Sequence, residues 1–231
     1  LKSQDANLQF VFMTGVTKFS KVSLFSGVNQ LSDITIDNRY SSICGYTDND
    51  LQQYFSEYLA GSDPEEVRRW YNGYSWTGLE SVYNPYDILL FLDKGKVFRN
   101  YWFETGNPTF LMELFKKNQY YLPDLEKIQV TEDVLDSFDV ETIIPITLLF
   151  QSGYLTIVNT HIDFNQLIYT LKIPNMEVRQ ALYNKFIFAY TGLLENRLDF
   201  QLHLRKELSS GDVPSLIDTI KRLFAGIPWR N

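Results

Sequence analysis

Residues 143–175 decide the predicted fold class, and they read IIPITLLFQSGYLTIVNTHIDFNQLIYTLKIPN. Their apolar spacing predicts a short helix over residues 143–152 that ends at Gly153. The residues after Gly153 alternate between apolar and polar side chains, which is the period of a half-buried strand. A change from helical to strand period within one stretch predicts a mixed α+β fold.

Two strands are predicted in this stretch, over residues 154–158 and 167–173, with a polar turn at residues 159–165 between them. Pro174 and Asn175 then cap a long helix. The apolar stripe of that helix contains Val178, Ala181, Leu182, Phe186, Ala189, Tyr190, Leu193 and Leu194. A helix, a two-stranded wing and a second helix form the pattern of a winged-helix-like unit.

Winged-helix units include DNA-binding domains, whose recognition helices usually present Arg, Lys, Asn or Gln to a groove. The candidate recognition helix offers Thr147 and Gln151 and contains no basic residue. The predicted wing loop carries His161 and Asp163 but neither Lys nor Arg. Charge therefore favours an intramolecular lid, and nucleic acid is an alternative partner that the charge does not support.

Towards the amino terminus, residues 46–127 are predicted to form a helical region. Thr47 and Asp50 have the spacing of a capping box. The apolar stripe that follows them, up to Gly61, consists of Leu51, Tyr54, Phe55, Tyr58 and Leu59. A further helix is predicted to start at Pro64, with Ser62 or Asp63 as its cap, and to stop at Asn72-Gly73. Other starts and stops are predicted at Asn84-Pro85, Gly95 and Asn107-Pro108.

The segment from Phe10 to Met13 carries no charge, which predicts a strand buried on both faces of a parallel sheet. Ligands of such sheets lie beyond the carboxyl ends of the strands. Thr14, Gly15 and Lys18 are therefore candidate phosphate-facing residues. The alternative is a plain turn followed by a solvated lysine. A parallel strand needs neighbours, so the partners of this one are predicted to be missing or unusual, and its unpaired edge can mediate oligomer contacts.

Three ordered blocks of sequence carry a resemblance to a known family. They are residues 10–29 (FVFMTGVTKFSKVSLFSGVN), then 71–74 (YNGY) with 82–86 (VYNPY) and 101–106 (YWFETG), and finally 149–157 (LFQSGYLTI) with 173–179 (IPNMEVR). The chain resembles the middle segment of bacterial predicted AAA-ATPase-like proteins that end in a PD-(D/E)XK nuclease-like domain. The resemblance spans nearly the whole chain.

The resemblance implies that Walker A and Walker B segments precede this chain in the parent protein and that the nuclease-like domain follows it. Thr14 matches the polar position at the end of the sensor strand, and Lys18 falls where a basic residue often follows. Neither Gly-x-x-x-x-Gly-Lys-Ser/Thr nor Gly-x-Gly-x-x-Gly occurs in the sequence. The chain alone is thus predicted to be inactive, whereas ATP and Mg²⁺ are the implied cofactors of the parent.

Four regions are then expected, together with a coupling function. They are a remnant of the ATPase core and its P-loop sheet (1–45, with the sensor strand at 10–14), an aromatic-rich helical lid (46–127), the winged-helix-like unit (128–195) and a helical linker towards the nuclease-like domain (196–231). By resemblance, the chain couples the nucleotide state of the ATPase core to the nuclease-like domain. The remainder of the core and the nuclease-like domain are its expected partners.

Composition limits the partners, the cellular compartment and the metal sites that are expected for the chain. The net charge of −7 argues against broad attraction to nucleic acid or anionic membranes. A single cysteine, Cys44, excludes an internal disulfide and fits a reducing compartment. No apolar run approaches the roughly 20 residues that span a bilayer, so a cytoplasmic location is predicted. His161 and His203 lack the spacing of a zinc site, and no metal site is predicted.

Aromatic residues make up 16% of the chain and concentrate between residues 71 and 103. They include Tyr71, Tyr74, Trp76, Tyr83, Tyr86, Tyr101, Trp102 and Phe103. Packing between helices is the favoured interpretation. The alternative function is a non-catalytic binding module whose rings stack on carbohydrate or nucleobase, or contact a protein partner.

Overall fold

The computed structural model describes residues 7–15, 32–102, 113, 122–135, 144–191 and 197–226. Within these ranges the chain contains eight α-helices and one three-stranded antiparallel sheet, which confirms the predicted α+β class. None of the described helices is long and apolar enough to cross a membrane. The chain divides into two compact units, residues 1–107 with 119–179, and residues 108–118 with 180–231.

Three capped helices open the first unit. They are α1 (Asp48–Tyr54), α2 (Pro64–Tyr71) and α3 (Pro85–Asp93). The predicted capping box is confirmed, because Asp50 N donates to Thr47 Oγ1 at 3.1 Å and Thr47 N donates to Asp50 Oδ2 at 2.8 Å. Asp63 and Asn84 cap the next two helices, as predicted. Local capping chemistry therefore places all three helix starts.

The predicted apolar stripe up to Gly61 is wrong in part. α1 ends at Tyr54, and turns rather than a helix lead on to Gly61, whose φ is +82°. Leu51 is buried, but Tyr54 is 63% exposed and Tyr58 is 65% exposed. Tyr54 is the last residue of the helix, and Tyr58 lies beyond it, where helical spacing no longer holds a side chain on the core side. Both hydroxyls can stay in water.

The core of this helical region is mostly aromatic. The Tyr71 ring lies 5.6 Å from the Phe91 ring and 6.1 Å from the Tyr101 ring, measured between centroids. Rings at such distances gain from tilted contacts beyond the area they bury. The buried members of this cluster are Leu51, Val67, Trp70, Tyr71, Tyr83, Ile88, Phe91 and Tyr101.

The sheet follows in the same unit, with two short helices between its first and second strands. Its strands are β1 (Ile128–Thr131), β2 (Thr156–Asp163) and β3 (Gln166–Lys172), in the spatial order β1-β3-β2. The helices are α4 (Glu132–Leu135) and α5 (Pro145–Gln151). α5 confirms the helix predicted over residues 143–152.

The polar turn predicted at residues 159–165 is too long. β2 continues to Asp163, and β3 begins at Gln166, so the turn consists of Phe164 and Asn165. Both turn residues have positive φ, 44° and 62°, as a tight two-residue hairpin turn requires. Cross-strand pairing with β3 holds the polar residues of β2 in the strand although their composition resembles a loop.

The long helix and a helical hairpin follow. α6 (Met176–Thr191) begins after Asn175, whose Oδ1 accepts from Val178 N at 3.0 Å, so the predicted cap is confirmed. In the second unit, α7 (Arg197–Ser210) and α8 (Val213–Ala225) pack against each other. Buried Thr219 donates from its hydroxyl to Glu207 Oε1 at 2.9 Å.

The buried strand predicted at residues 10–14 is not present. Residues 8–15 belong to neither a helix nor a strand, and Phe10 and Phe12 are 81% and 53% exposed. No strand in the described ranges pairs with this segment. An extended segment without a pairing neighbour cannot be buried in a sheet, whatever its apolar content. Lys18 and the helix predicted at Asn107-Pro108 lie outside the described residues.

Candidate functional site

A polar junction joins the helical region of the first unit to the sheet. Ser75 N donates to Thr156 Oγ1 at 2.6 Å, and the same hydroxyl donates to Ser75 O at 2.8 Å. Ile157 N also donates to Ser75 O, at 3.0 Å. Ser75 and Thr156 are buried, and buried hydrogen bonds of this kind are costly to leave unmade. The helical region and the sheet are thereby fixed to each other.

Gly73 marks the closest backbone approach of this junction. Its φ is +110°, and a Cβ atom at this position would lie 2.1 Å from the carbonyl oxygen of Pro174. Only glycine fits both the backbone conformation and the contact. The Tyr71-Asn72-Gly73-Tyr74 sequence therefore has a structural reason for its glycine.

Two fully buried carboxyl groups lie at the junction. Asp87 is in the first turn of α3, Glu177 is in the first turn of α6, and neither side chain is exposed. Trp102 N donates to Glu177 Oε1 at 2.8 Å. Within the described residues, neither Asp87 oxygen makes a hydrogen bond of regular geometry, although Glu177, Asn84 and Trp102 lie nearby.

Burial is the main cause of the raised pKa of Asp87 in this pair. Loss of solvation raises the pKa of Asp87 to about 6, against smaller lowering contributions from Glu177, Trp102 and Asn84. Burial also raises the pKa of Tyr74, and the nearby charges of Asp87 and Glu177 raise it further. Asp87 therefore holds its proton to a higher pH than a solvated aspartic acid does.

A cleft of about 540 Å³ lies in the first unit, and Gly73 and Pro174 are part of its lining. Four basic side chains line it, two from the last turn of α2 and two from the end of β3 and the start of α6. They are Arg68, Arg69, Lys172 and Arg179. None of the described residues that line the cleft is acidic. This lining contrasts with the net charge of −7 for the whole chain.

Three of the four cations are engaged by acids outside the cleft lining. Arg68 pairs with Asp48 at 3.0 Å, and Arg69 pairs with Glu66 at 2.5 Å. Arg179 donates from Nη2 to Glu126 Oε2 at 2.9 Å. For Lys172 no carboxylate oxygen lies within 4.0 Å among the described residues. Each guanidinium carries five N–H donors, so one ion pair leaves further donors for a ligand.

Two amide side chains complete the cleft. Asn72 is 4% exposed, Asn175 is 7% exposed, and both line the cleft. Asn72 Oδ1 accepts from Gly73 N at 2.5 Å, and Asn175 Oδ1 caps α6. Both Nδ2 groups lie near tyrosine hydroxyls, those of Tyr83 and Tyr74. Neither Nδ2 makes a regular hydrogen bond within the described part of the chain.

Of the sequence-predicted site residues, the two that the structure describes do not line this cleft. Thr14 and Gly15 are exposed and do not line it, and Lys18 is outside the described residues. His161 is exposed on β2, and His203 lines a separate cavity of about 390 Å³ in the second unit. No group of three His, Cys, Asp or Glu side chains able to hold a metal occurs in the described ranges.

Sequence analysis missed the cleft and the carboxyl pair. Asp87 follows a proline at a helix start, where an acidic residue is ordinarily solvated and favourable. Arg68 and Arg69 resemble the charged last turn of any surface helix. The Pro174-Asn175 cap was the sequence feature that could have pointed to the cleft, since it places a helix start and the polar amide of Asn175 at one position of the chain.

The predicted aromatic cluster is largely internal. Tyr71, Tyr74, Tyr83 and Tyr101 are buried. Tyr86 is 45% exposed, and Trp76 and Trp102 are half-buried. The packing interpretation therefore accounts for the four buried rings, whose faces cannot stack on a ligand.

Comparison with known proteins yields one informative match. A protein of Azotobacter chroococcum mcd 1, described as an uncharacterized protein in the vnfD 5′ region, is 43% identical over 228 residues. The match covers 99% of this chain and 44% of the relative, so the chain spans less than half the length of the curated relative it matches. No protein family model matches the chain. No solved structure matches it either.

Proposed function

We propose that this chain is the coupling segment of an AAA-ATPase-like protein. In this proposal it transmits the nucleotide state of the ATPase core to a nuclease-like domain, and ATP and Mg²⁺ bind in the parent protein rather than in this chain. The sequence blocks described above are the basis for the family. The match to a relative more than twice as long is compatible with a segment of a larger protein.

The topology of the sheet supports a winged-helix-like unit within this proposal. The chain order β1, α4, α5, β2, β3 and the spatial order β1-β3-β2 agree with a two-helix unit followed by a wing. The wing is the β2–β3 hairpin. α5 carries no basic residue, and the single basic residue of the hairpin strands is Lys172. The charge thus favours the intramolecular role over DNA binding.

The junction between Ser75 and Thr156 is the observation that carries the coupling proposal. Its buried hydrogen bonds make the helical region and the hairpin one mechanical body. A displacement of the helices by an adjacent ATPase core would therefore move the hairpin with them. Coupling through discrete packed contacts of this kind requires no flexible linker.

The test uses the complete protein in which this chain occurs. ATP turnover and the hydrogen exchange of residues 156–172 are measured with and without nucleotide. We expect turnover by the complete protein, loss of at least about tenfold in Lys18→Ala, and none by this chain alone. Thr156→Val should keep turnover but remove the nucleotide dependence of exchange, because it removes both hydrogen bonds of Thr156 Oγ1.

Thr160→Val, on the same strand and half-buried, is the matched control and should leave the nucleotide dependence intact. A complete protein that neither binds nor hydrolyses ATP would refute the proposal. So would a hairpin whose exchange is the same in both nucleotide states.

A further inference from the structure

The polar groups at the wall of the cleft defined above are predominantly hydrogen-bond donors. Among the described residues, Asn72 Nδ2, Asn175 Nδ2 and Arg179 Nε are buried nitrogens without a regular hydrogen bond. A buried donor that lacks an acceptor costs free energy, and proteins rarely leave several at one place. Three such donors on residues that line one cleft call for a ligand rich in acceptor oxygens.

Charge and helix geometry point to the same ligand class. Lys172 is exposed, lines the cleft and has no carboxylate within 4.0 Å among the described residues, and the described lining contains no acid. Asn175 and Met176, at the start of the 16-residue helix α6, line the cleft as well. The amino terminus of a long helix carries a partial positive charge that favours oxyanions.

We propose that this cleft binds the phosphate group of a small phosphorylated ligand. The phosphate oxygens accept from Lys172 Nζ and Arg179, and the Asn72 and Asn175 amides turn from their tyrosine neighbours towards them. The cleft of about 540 Å³ has the size of a small-molecule site. Thr14 does not line this site, and the proposal stands or falls independently of the coupling function.

A small ligand is favoured over a nucleic acid by the surroundings of the cleft. The chain carries a net charge of −7, which repels an extended polyanion. The acids that pair with the arginines, Asp48, Glu66 and Glu126, lie just beyond the lining. A single phosphate group can enter the cleft between these acids, whereas a nucleic-acid backbone would have to pass close to their carboxylates.

The experiment titrates the ¹⁵N-labelled chain with pyrophosphate and, separately, with AMP. The side-chain N–H signals of Asn72, Asn175 and Arg179 are followed by NMR. Saturable shifts of these signals, with a Kd below about 1 mM, are expected. Lys172→Gln should weaken binding by about tenfold, the effect of one charge-assisted contact.

Lys94→Gln is the matched control, because it removes an exposed lysine of the same unit that does not line the cleft. It should change the affinity by less than about twofold. Equal weakening by the two substitutions would overturn the proposal, as it would indicate general charge attraction. The absence of saturable shifts at those three side chains would overturn it as well. Single-stranded DNA that binds more tightly than AMP at the same residues would replace the small ligand with a polymer.

Discussion

Residues 46–102 and residues 7–15 both contain many large apolar side chains, yet the structure treats them in opposite ways. Phe91 of the first region has no exposed surface, whereas Phe10 of the second is 81% exposed. The difference lies in what surrounds each residue. In residues 46–102, capped helices bring their apolar faces together within the same segment. Residues 7–15 have no described strand to pair with.

This contrast teaches that apolar composition predicts burial only when the burial partner is specified too. The helices α1, α2 and α3 are each defined by residues next to them in sequence, and their faces meet over short chain distances. A parallel strand depends on partners that are distant in sequence. The same apolar signal therefore has different reliability in the two regions.

Phe91→Ala should have the largest effect of the substitutions that probe this contrast. Phe91 contacts Tyr71 and Phe98, at ring-centroid distances of 5.6 Å and 4.8 Å. Removal of a fully buried ring leaves a cavity, and we expect the free energy of unfolding to fall by about 3–5 kcal/mol. Urea denaturation of the chain measures this. A loss below about 1 kcal/mol would mean that residues 46–102 do not form the core described above.

The next largest effect is the pH dependence of stability caused by buried Asp87. It extends the comparison with residues 7–15, because residues 46–102 bury an ionisable group as well as apolar side chains. Burial raises the pKa of Asp87 from its ordinary value of 3.8 to about 6. The folded state then holds a proton that the unfolded state releases between about pH 4 and pH 6. The contribution of Asp87 to stability is therefore fully present below about pH 4, is lost as the pH rises to about 6, and changes little above it.

Asp87→Asn removes this titration and should flatten the pH dependence. The wild-type chain is expected to lose up to roughly 3 kcal/mol across the window, given 1.4 kcal/mol for each pKa unit. Glu177 and Tyr74 face Asp87 and remain in the variant. Asp93→Asn, an exposed residue at the end of the same helix, is the control and should keep the slope. Identical slopes in wild type and Asp87→Asn would assign the raised pKa to a different group.

Particular residues show which parts of the fold and of the candidate site could be predicted from the sequence. The starts of three helices could be predicted from their capping residues, Thr47, Asp63 and Asn84, because an N-cap acts on the backbone within one turn. The sequence does not predict β1, and it predicts a β2 that is too short. Both strands are stabilised by pairing with β3, which is not visible in their own sequences. The carboxyl pair and the cleft join residues that are up to about 100 positions apart, and no local pattern specifies which polar side chains tertiary packing will bury.

Phe10→Ser should have the smallest effect, and it tests the other side of the comparison. In this chain the ring is 81% exposed, so the free energy of unfolding should change by less than about 0.5 kcal/mol. In the complete protein, the proposed ATPase core would cover the segment, and the same substitution should then cost about 2 kcal/mol or more. A large cost in the isolated chain would mean that Phe10 is buried after all. Equal and negligible effects in both proteins would remove the reason to assign this segment to a P-loop sheet, because a sensor strand cannot lose a buried ring without consequence.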